Sequence, residues 1–267
     1  MSQPPNPHHQ TGLSLIELMV AMLIGMFLIL GVTQIFINNQ TSYLFQQGQL
    51  GNQENGRFSL ALLNQELLKA GYRSNLVSTL PADSSSLAGC NFQAGAAVAA
   101  ISERSFCVQY QATSQLDVTC QGNGLIAADR NAISTPYSVK PYENVIRPRI
   151  VEKISFDETT SSITCTTAAV AQQLVTGVRD VRFEYGAGPN KSRSVTSFST
   201  SPVASDSIAA VRYSILMQSP GAARVRDTTT VSPALQEWNN RYGTNYSDVI
   251  SIYQIVQGTT MIRNQMK

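Results

Sequence analysis

The sequence predicts an α+β fold in which one long N-terminal helix leads into a β-rich domain, and three observations predict it. Residues Leu18 to Val32 are apolar without a break, and Ile35, Phe36 and Ile37 prolong the run past Thr33 and Gln34. No proline occurs between Pro7 and Pro81, so nothing in the backbone forbids a continuous helix over most of that interval. After Pro81 the apolar period becomes that of strands, most plainly at Val181, Phe183, Tyr185 and at Val211, Tyr213, Ile215, Met217.

Counted from Leu13 to Ile37, the apolar segment is about 25 residues, or about 37 Å of helix, enough to cross a hydrocarbon core of ~30 Å. A cleaved secretory signal would need a basic start, a charge-free apolar run and a small-x-small site after it. Here residues 1–12 carry no Lys or Arg, the run holds Glu17, and no A-x-A follows Ile37. Glu17 is the only charged side chain before Glu54. A carboxylate in a membrane span costs roughly 2.5–3.5 kcal/mol on insertion scales, which marks it as functional. No base along the segment can pair with it. A cut after Gly12 would create a positive amine on Leu13, four residues before Glu17, available to this glutamate or to that of a neighbouring subunit.

Further along, Leu60, Leu63, Leu67 and Ala70 recur at helical spacing as a stripe facing a core, with Glu54, Arg57, Glu66 and Lys69 as its polar complement. Gly25, Gly31, Gly48, Gly51 and Gly56 weaken the helix or pack it closely, and Gly71 is the expected stop. Strands are expected at Ser105–Gln111, Leu116–Cys120, Ile150–Phe156, Ser162–Thr166 and Val249–Val256, besides the two alternating runs. Ser232-Pro233 should open a short helix reaching about Tyr242, with serine as its cap. Residues 82–100 and 186–207, which include Ser84-Ser85-Ser86, read as loops.

The chain has 267 residues, 43% hydrophobic, 13% charged, with a formal net charge of +2. That composition excludes a disordered chain and argues against general nucleic-acid binding. Lys140, Arg147, Arg149 and Lys153 form one loose basic group, and Arg179, Arg182, Lys191 and Arg193 another. With Glu143, Glu152, Asp180 and Glu184 interleaved, both read as solvated or intersubunit faces. His8 and His9 are the only histidines. Removal of residues 1–12 would leave none, which excludes Ser-His-Asp, Cys-His and histidine-bearing metal sites. Asp157 and Glu158 read as a solvated turn, and no calcium loop or nucleotide fingerprint is present. No catalytic residue, cofactor or metal is expected, and the chain is not read as an enzyme.

The run Gly12-Leu13-Ser14-Leu15-Ile16-Glu17-Leu18-Met19-Val20 resembles the class III signal of type IV prepilins. The resemblance implies cleavage after Gly12 by a prepilin peptidase, N-methylation of Leu13, and docking into a filament through Glu17. Leu13 stands where phenylalanine is usual, and the leader lacks the common Lys or Arg. Gln53-Glu54-Asn55-Gly56-Arg57-Phe58 and Ala70-Gly71-Tyr72-Arg73 resemble the stretch after the membrane helix in minor pilins of the PilW family. Leu174-Val175, Gly177-Val178, Asp180-Val181, Phe183, Tyr185 and Gly186 match a second block, Val211-Arg212 a third, and Ile262-Arg263-Asn264 the closing strand.

The resemblance implies the type IV pilin fold, with a leader at 1–12, a transmembrane and filament-core helix at 13–37, its amphipathic second half at 38–72, and a globular β-rich domain at 73–267. It implies a single-pass inner-membrane protein with its N-terminus in the cytoplasm and its domain outside, later placed in the pilus at its tip. The implied partners are the prepilin peptidase, other minor pilins, the major pilin, the inner-membrane assembly platform and a large tip adhesin. The implied roles are priming of assembly in support of twitching motility, adhesion or DNA uptake. A type II secretion pseudopilin and a tip receptor for DNA or a surface ligand are the alternatives. The four cysteines allow three disulfide connectivities. Sequence proximity and the family's tendency to pair a C-x-G turn with a later strand favour Cys90 with Cys107 and Cys120 with Cys165.

Overall fold

The computed structural model of the chain describes residues 12, 14–73, 79–84, 86–133, 148–168, 170–188, 194–203, 206–219 and 229–265. It divides into two compact units, Met1–Gln47 and Gly48–Lys267. Helix α1 (Leu15–Lys69) runs through both. In the first unit its apolar side chains from Leu15 to Ile37 are exposed. Its threonine hydroxyls there turn inward: Thr33 donates to the Ile29 carbonyl and Thr41 to the Ile37 carbonyl. That satisfies them within the helix, as a hydrocarbon environment demands.

The second unit holds the remaining elements. These are β1 (Val98–Ser102), β2 (Ser105–Gln111), α2 (Ala127–Ile133), β3 (Arg149–Asp157), β4 (Ser162–Thr166), β5 (Ala171–Thr176), β6 (Val178–Gly188), β7 (Ser197–Ser199), β8 (Ser207–Gln218), α3 (Pro233–Tyr242) and β9 (Tyr253–Met261). They form two antiparallel sheets, ordered β1-β2-β3-β4-β5 and β7-β6-β8-β9. The chain passes from one sheet to the other at Gly177, whose φ of 74° lies in the left-handed region open to glycine. One core joins the second half of α1 to the inner faces of both sheets, with Leu63, Leu67, Phe106, Val108, Ile154, Val181, Phe183 and Ile215 at its centre. A smaller core of Leu87, Cys90, Phe92, Ala99, Cys107 and Val151 lies on the opposite face of the five-stranded sheet. The alternation along β2 explains it: Phe106 and Val108 point one way and Cys107 the other.

The stripe Leu63, Leu67, Ala70 is buried as expected, and it continues backwards through Ser59, Gly56, Asn52 and Gly48. There the helix lies close to the strands: a Cβ on Gly56 would stand 2.8 Å from Cγ1 of Val256. The helix ends at Gly71, with φ of 77° and its N–H donated to the Gln109 carbonyl. Asn264 Nδ2 donates to the Ala70 carbonyl, so the chain's last turn helps to cap the first helix. Helix α3 begins as the sequence implies, Ser232 Oγ accepting from the Leu235 N–H, and ends at Gly243, with φ of 66°.

Several expectations need correction. Leu116–Cys120 is not a strand. Asp117 collects the N–H and hydroxyl groups of Thr113 and Ser114, which folds the segment into a turn with one isolated bridge, Val118 to Gly124. The last strand starts at Tyr253 rather than Val249, because Asp248 accepts the Ile250 and Ser251 N–H groups and bends the chain first. Arg263 and Asn264 lie in a short 3-10 turn, not a strand, since Ile262 makes the final ladder bond, to Ala209. The strand β7 lies within a stretch read as loop, and β1 begins in another.

Glu66, Glu152, Asp180 and Arg182 are buried, not part of solvated faces. Glu66 is tied to Lys69. Asp180 accepts from Trp238 Nε1 at 3.1 Å and the Tyr246 hydroxyl at 3.2 Å, and pairs with Arg182 and Arg104 at 2.9 Å each. Helix α3 and the loop after it thus cover a face that local charge alternation makes look wet.

Candidate processing and assembly site

The site is built on the first turn of α1. Ser14 precedes the helix, and its carbonyl accepts the Leu18 N–H at 3.2 Å. Its own N–H donates to Glu17 Oε2 at 3.0 Å. This is half of a capping box, in which an acid three residues into the helix returns to the backbone at its start. The S-x-x-E spacing in the sequence is a signal for it. The Glu17 carboxylate therefore points to the N-terminal end of the helix, where the helix dipole favours negative charge. No ion pair to Glu17 is formed among the described residues. Ile16, Val20, Ala21 and Ile24 flank it in a shallow apolar groove. Gly12 is exposed, with none of the described residues within 4 Å of a Cβ built on it. Leu13, His8 and His9 lie outside the described residues.

The family comparisons match this segment and the domain separately. The model for the prokaryotic N-terminal methylation motif matches residues 7–33, and that for Type IV Pilus-assembly protein W matches residues 151–264. Together they span more than half of the chain, in the expected order. The two matches support a type IV minor pilin of the PilW family. α1 is long and apolar enough to cross a membrane, and with the motif at its start it makes this PilW protein a membrane-anchored pilin. Among solved structures, a type IV-like pilin from Thermus thermophilus is similar, with 10% identity, a TM-score of 0.44, and coverage of 80% of this chain and 97% of that one. A comparison with curated proteins gave no match.

The PilW segment, residues 151–264, contains most of the two-sheet core and the Asp180 cluster. The Tyr185 hydroxyl in β6 lies 2.7 and 2.9 Å from the Ser102 and Ser105 carbonyls of the other sheet, and Asp180 reaches Arg104 in the same β1–β2 turn. Two of the block residues that carry the family resemblance thus fasten one sheet to the other.

The structure joins Cys90 to Cys107 and Cys120 to Cys165, with Cα separations of 5.7 and 6.2 Å. The first pins the 79–97 segment onto the outer face of the five-stranded sheet. The second ties the Asp117 turn to β4. The basic residues are scattered: Arg149 pairs with Asp83 at 2.6 Å, Arg179 stacks 4.3 Å over the Tyr246 ring, and Arg212 stacks 4.0 Å over Phe198. Lys140, Glu143, Arg147, Lys191 and Arg193 lie outside the described residues.

Proposed function

We propose that this PilW-family pilin is cut after Gly12 by a prepilin peptidase, N-methylated at Leu13, and drawn into a filament by pairing of Glu17 with the amino terminus of a neighbouring subunit. The observation that carries this reading is the orientation of Glu17. Its carboxylate sits on the Ser14 N–H, one residue along the chain from the amine that cleavage would create. In hydrocarbon an ion pair there offsets a large desolvation cost that neither charge bears well alone. The apolar first part of α1 then joins the helical core of the filament. The domain faces the periplasm and contacts other minor pilins and the major pilin on the assembly platform, priming the pilus and remaining at its tip, beneath an adhesin. In this reading the chain catalyses nothing and binds no cofactor.

The Glu17→Ala variant tests the pairing. Its leader should be removed as in wild type, while its recovery in sheared pili falls by about tenfold or more, the worth of a single ion pair of ~1.4 kcal/mol. Undiminished incorporation would sink the pairing. Deletion of the protein separates the roles: loss of surface pili and twitching supports priming. Loss of exoprotein secretion with pili intact points to a pseudopilin, and normal piliation with failed DNA uptake to a tip receptor.

A further inference from the structure

Two carboxylates are buried together where the end of α1 meets the five-stranded sheet. Glu152 is 0% exposed and Glu66 3%. Glu152 Oε1 accepts from the Tyr110 hydroxyl at 2.9 Å and from the Cys120 N–H at 2.8 Å. Its Oε2, equally buried, receives no donor from the described residues, and Lys69, whose Nζ lies 5.9 Å from the centroid of the Tyr110 ring, links Glu66 to the same buried cluster. Glu66 turns both oxygens to Lys69 Nζ, at 2.9 Å each. Among the described residues, the charged and titratable groups around the pair include Lys69 from α1, Tyr110 from β2 and, acting on Tyr110, Asp117 from the turn that covers them. Lys69 is bound by Glu66, and the buried Oε2 of Glu152 has no donor among the described residues unless one acid of the pair carries a proton.

We propose that Glu66 and Glu152 hold one proton between them and form a pH-sensitive clasp between α1 and the sheet, sealed by the Cys120–Cys165 disulfide. The seal follows from the Cys120 N–H, which reaches Glu152 because the disulfide ties that residue to β4. Just outside lies a cavity of about 440 Å³ lined by Leu68, Lys69, Tyr72, Tyr110, Leu116 and Val118, through which water enters if the turn lifts. Loss of the proton to solvent leaves two buried anions beside Lys69, and the covering turn yields. Burial and the neighbouring Glu66 charge push the Glu152 carboxyl up to about 7 from its ordinary 4.5. The folded state therefore keeps a proton that the unfolded state releases. Its contribution to stability is whole below pH 4.5 and is lost as pH rises through about 7.

Hydrogen exchange of the full chain in detergent micelles, corrected for intrinsic exchange, tests the clasp between about pH 5 and about pH 8. Protection of the Cys120 amide and its neighbours should fall up to about tenfold per pH unit around neutrality. The slope should vanish in Glu152→Gln and in Glu66→Gln. In Cys120→Ser/Cys165→Ser it should move toward the ordinary carboxylate range. The wild type itself should show an infrared band of a protonated, buried carboxyl that disappears as pH is raised through neutrality. A flat wild-type profile, a slope kept in either glutamine variant, or no such band overturns the proposal.

Discussion

At Asp180 a carboxylate without solvent contact is shared by Val181 N–H, Arg182, Arg104, Trp238 and Tyr246. Such a group is stable only while its donors stay in place, because an unpaired partner left in the interior costs more than the pair gains. Asp180→Asn keeps the volume but removes the charge facing two guanidinium groups. Its unfolding free energy in urea should fall by roughly 3–5 kcal/mol, and a loss below about 1 kcal/mol would show that water replaces the missing charge. Gly56 makes the converse case, where the absence of a side chain matters. Gly56→Ala places a methyl 2.8 Å from a branched valine carbon. Overpacking costs about 1–3 kcal/mol, against a helix-propensity gain of about 1 kcal/mol. A net loss of about 1 kcal/mol, measured in the same urea titration, is therefore expected; a gain would mean that β9 moves aside freely.

Elements whose signals are local can be read from the sequence, and those that depend on distant partners cannot. The span of α1 is legible because no proline interrupts it and Gly71 stops it. The start of α3 is legible because Ser232-Pro233 is a cap with its own chemistry. Strands β6 and β8 are legible because Val181, Phe183, Tyr185 and Val211, Tyr213, Ile215, Met217 alternate into the main core, whereas the burial of their other faces under α3 is not. By contrast β5, Ala-Gln-Gln-Leu-Val-Thr, is an edge strand with its first residues exposed, and β7 is three residues long, so neither carries a burial pattern. Leu116–Cys120 has strand composition, yet Asp117 gathers nearby donors before a ladder can form. Glu66 and Glu152 look like surface acids until the fold sets them against each other. At the candidate processing site Gly12 and Glu17 stand out by their motif, whereas the Ser14–Glu17 hydrogen bond, announced only by its spacing, emerges with the structure. Disulfides act at this scale too. Cys90–Cys107 closes a loop of 17 residues, for which chain entropy implies about 3 kcal/mol. Replacing both cysteines by alanine should lower stability by that order and expose the 79–97 segment to limited proteolysis; unchanged protease resistance would mean that Leu87 and Phe92 hold the segment unaided.

As a whole molecule, the chain pairs an apolar helix, exposed along its first part, with a domain that buries its own core. The Gly48–Lys267 unit has two sheets, two disulfides and the second half of α1 to stabilise it. The first part of α1 has no such partner among the described residues, and its one charge is Glu17. Membrane insertion accounts for the apolar surface, and in the proposed function a newly made positive charge answers the carboxylate. The most direct measurement is therefore the intact mass and N-terminal sequence of the protein recovered from cells. A chain starting at N-methylated Leu13 is the predicted result; one starting at Met1, or beyond Ile37, would contradict the account.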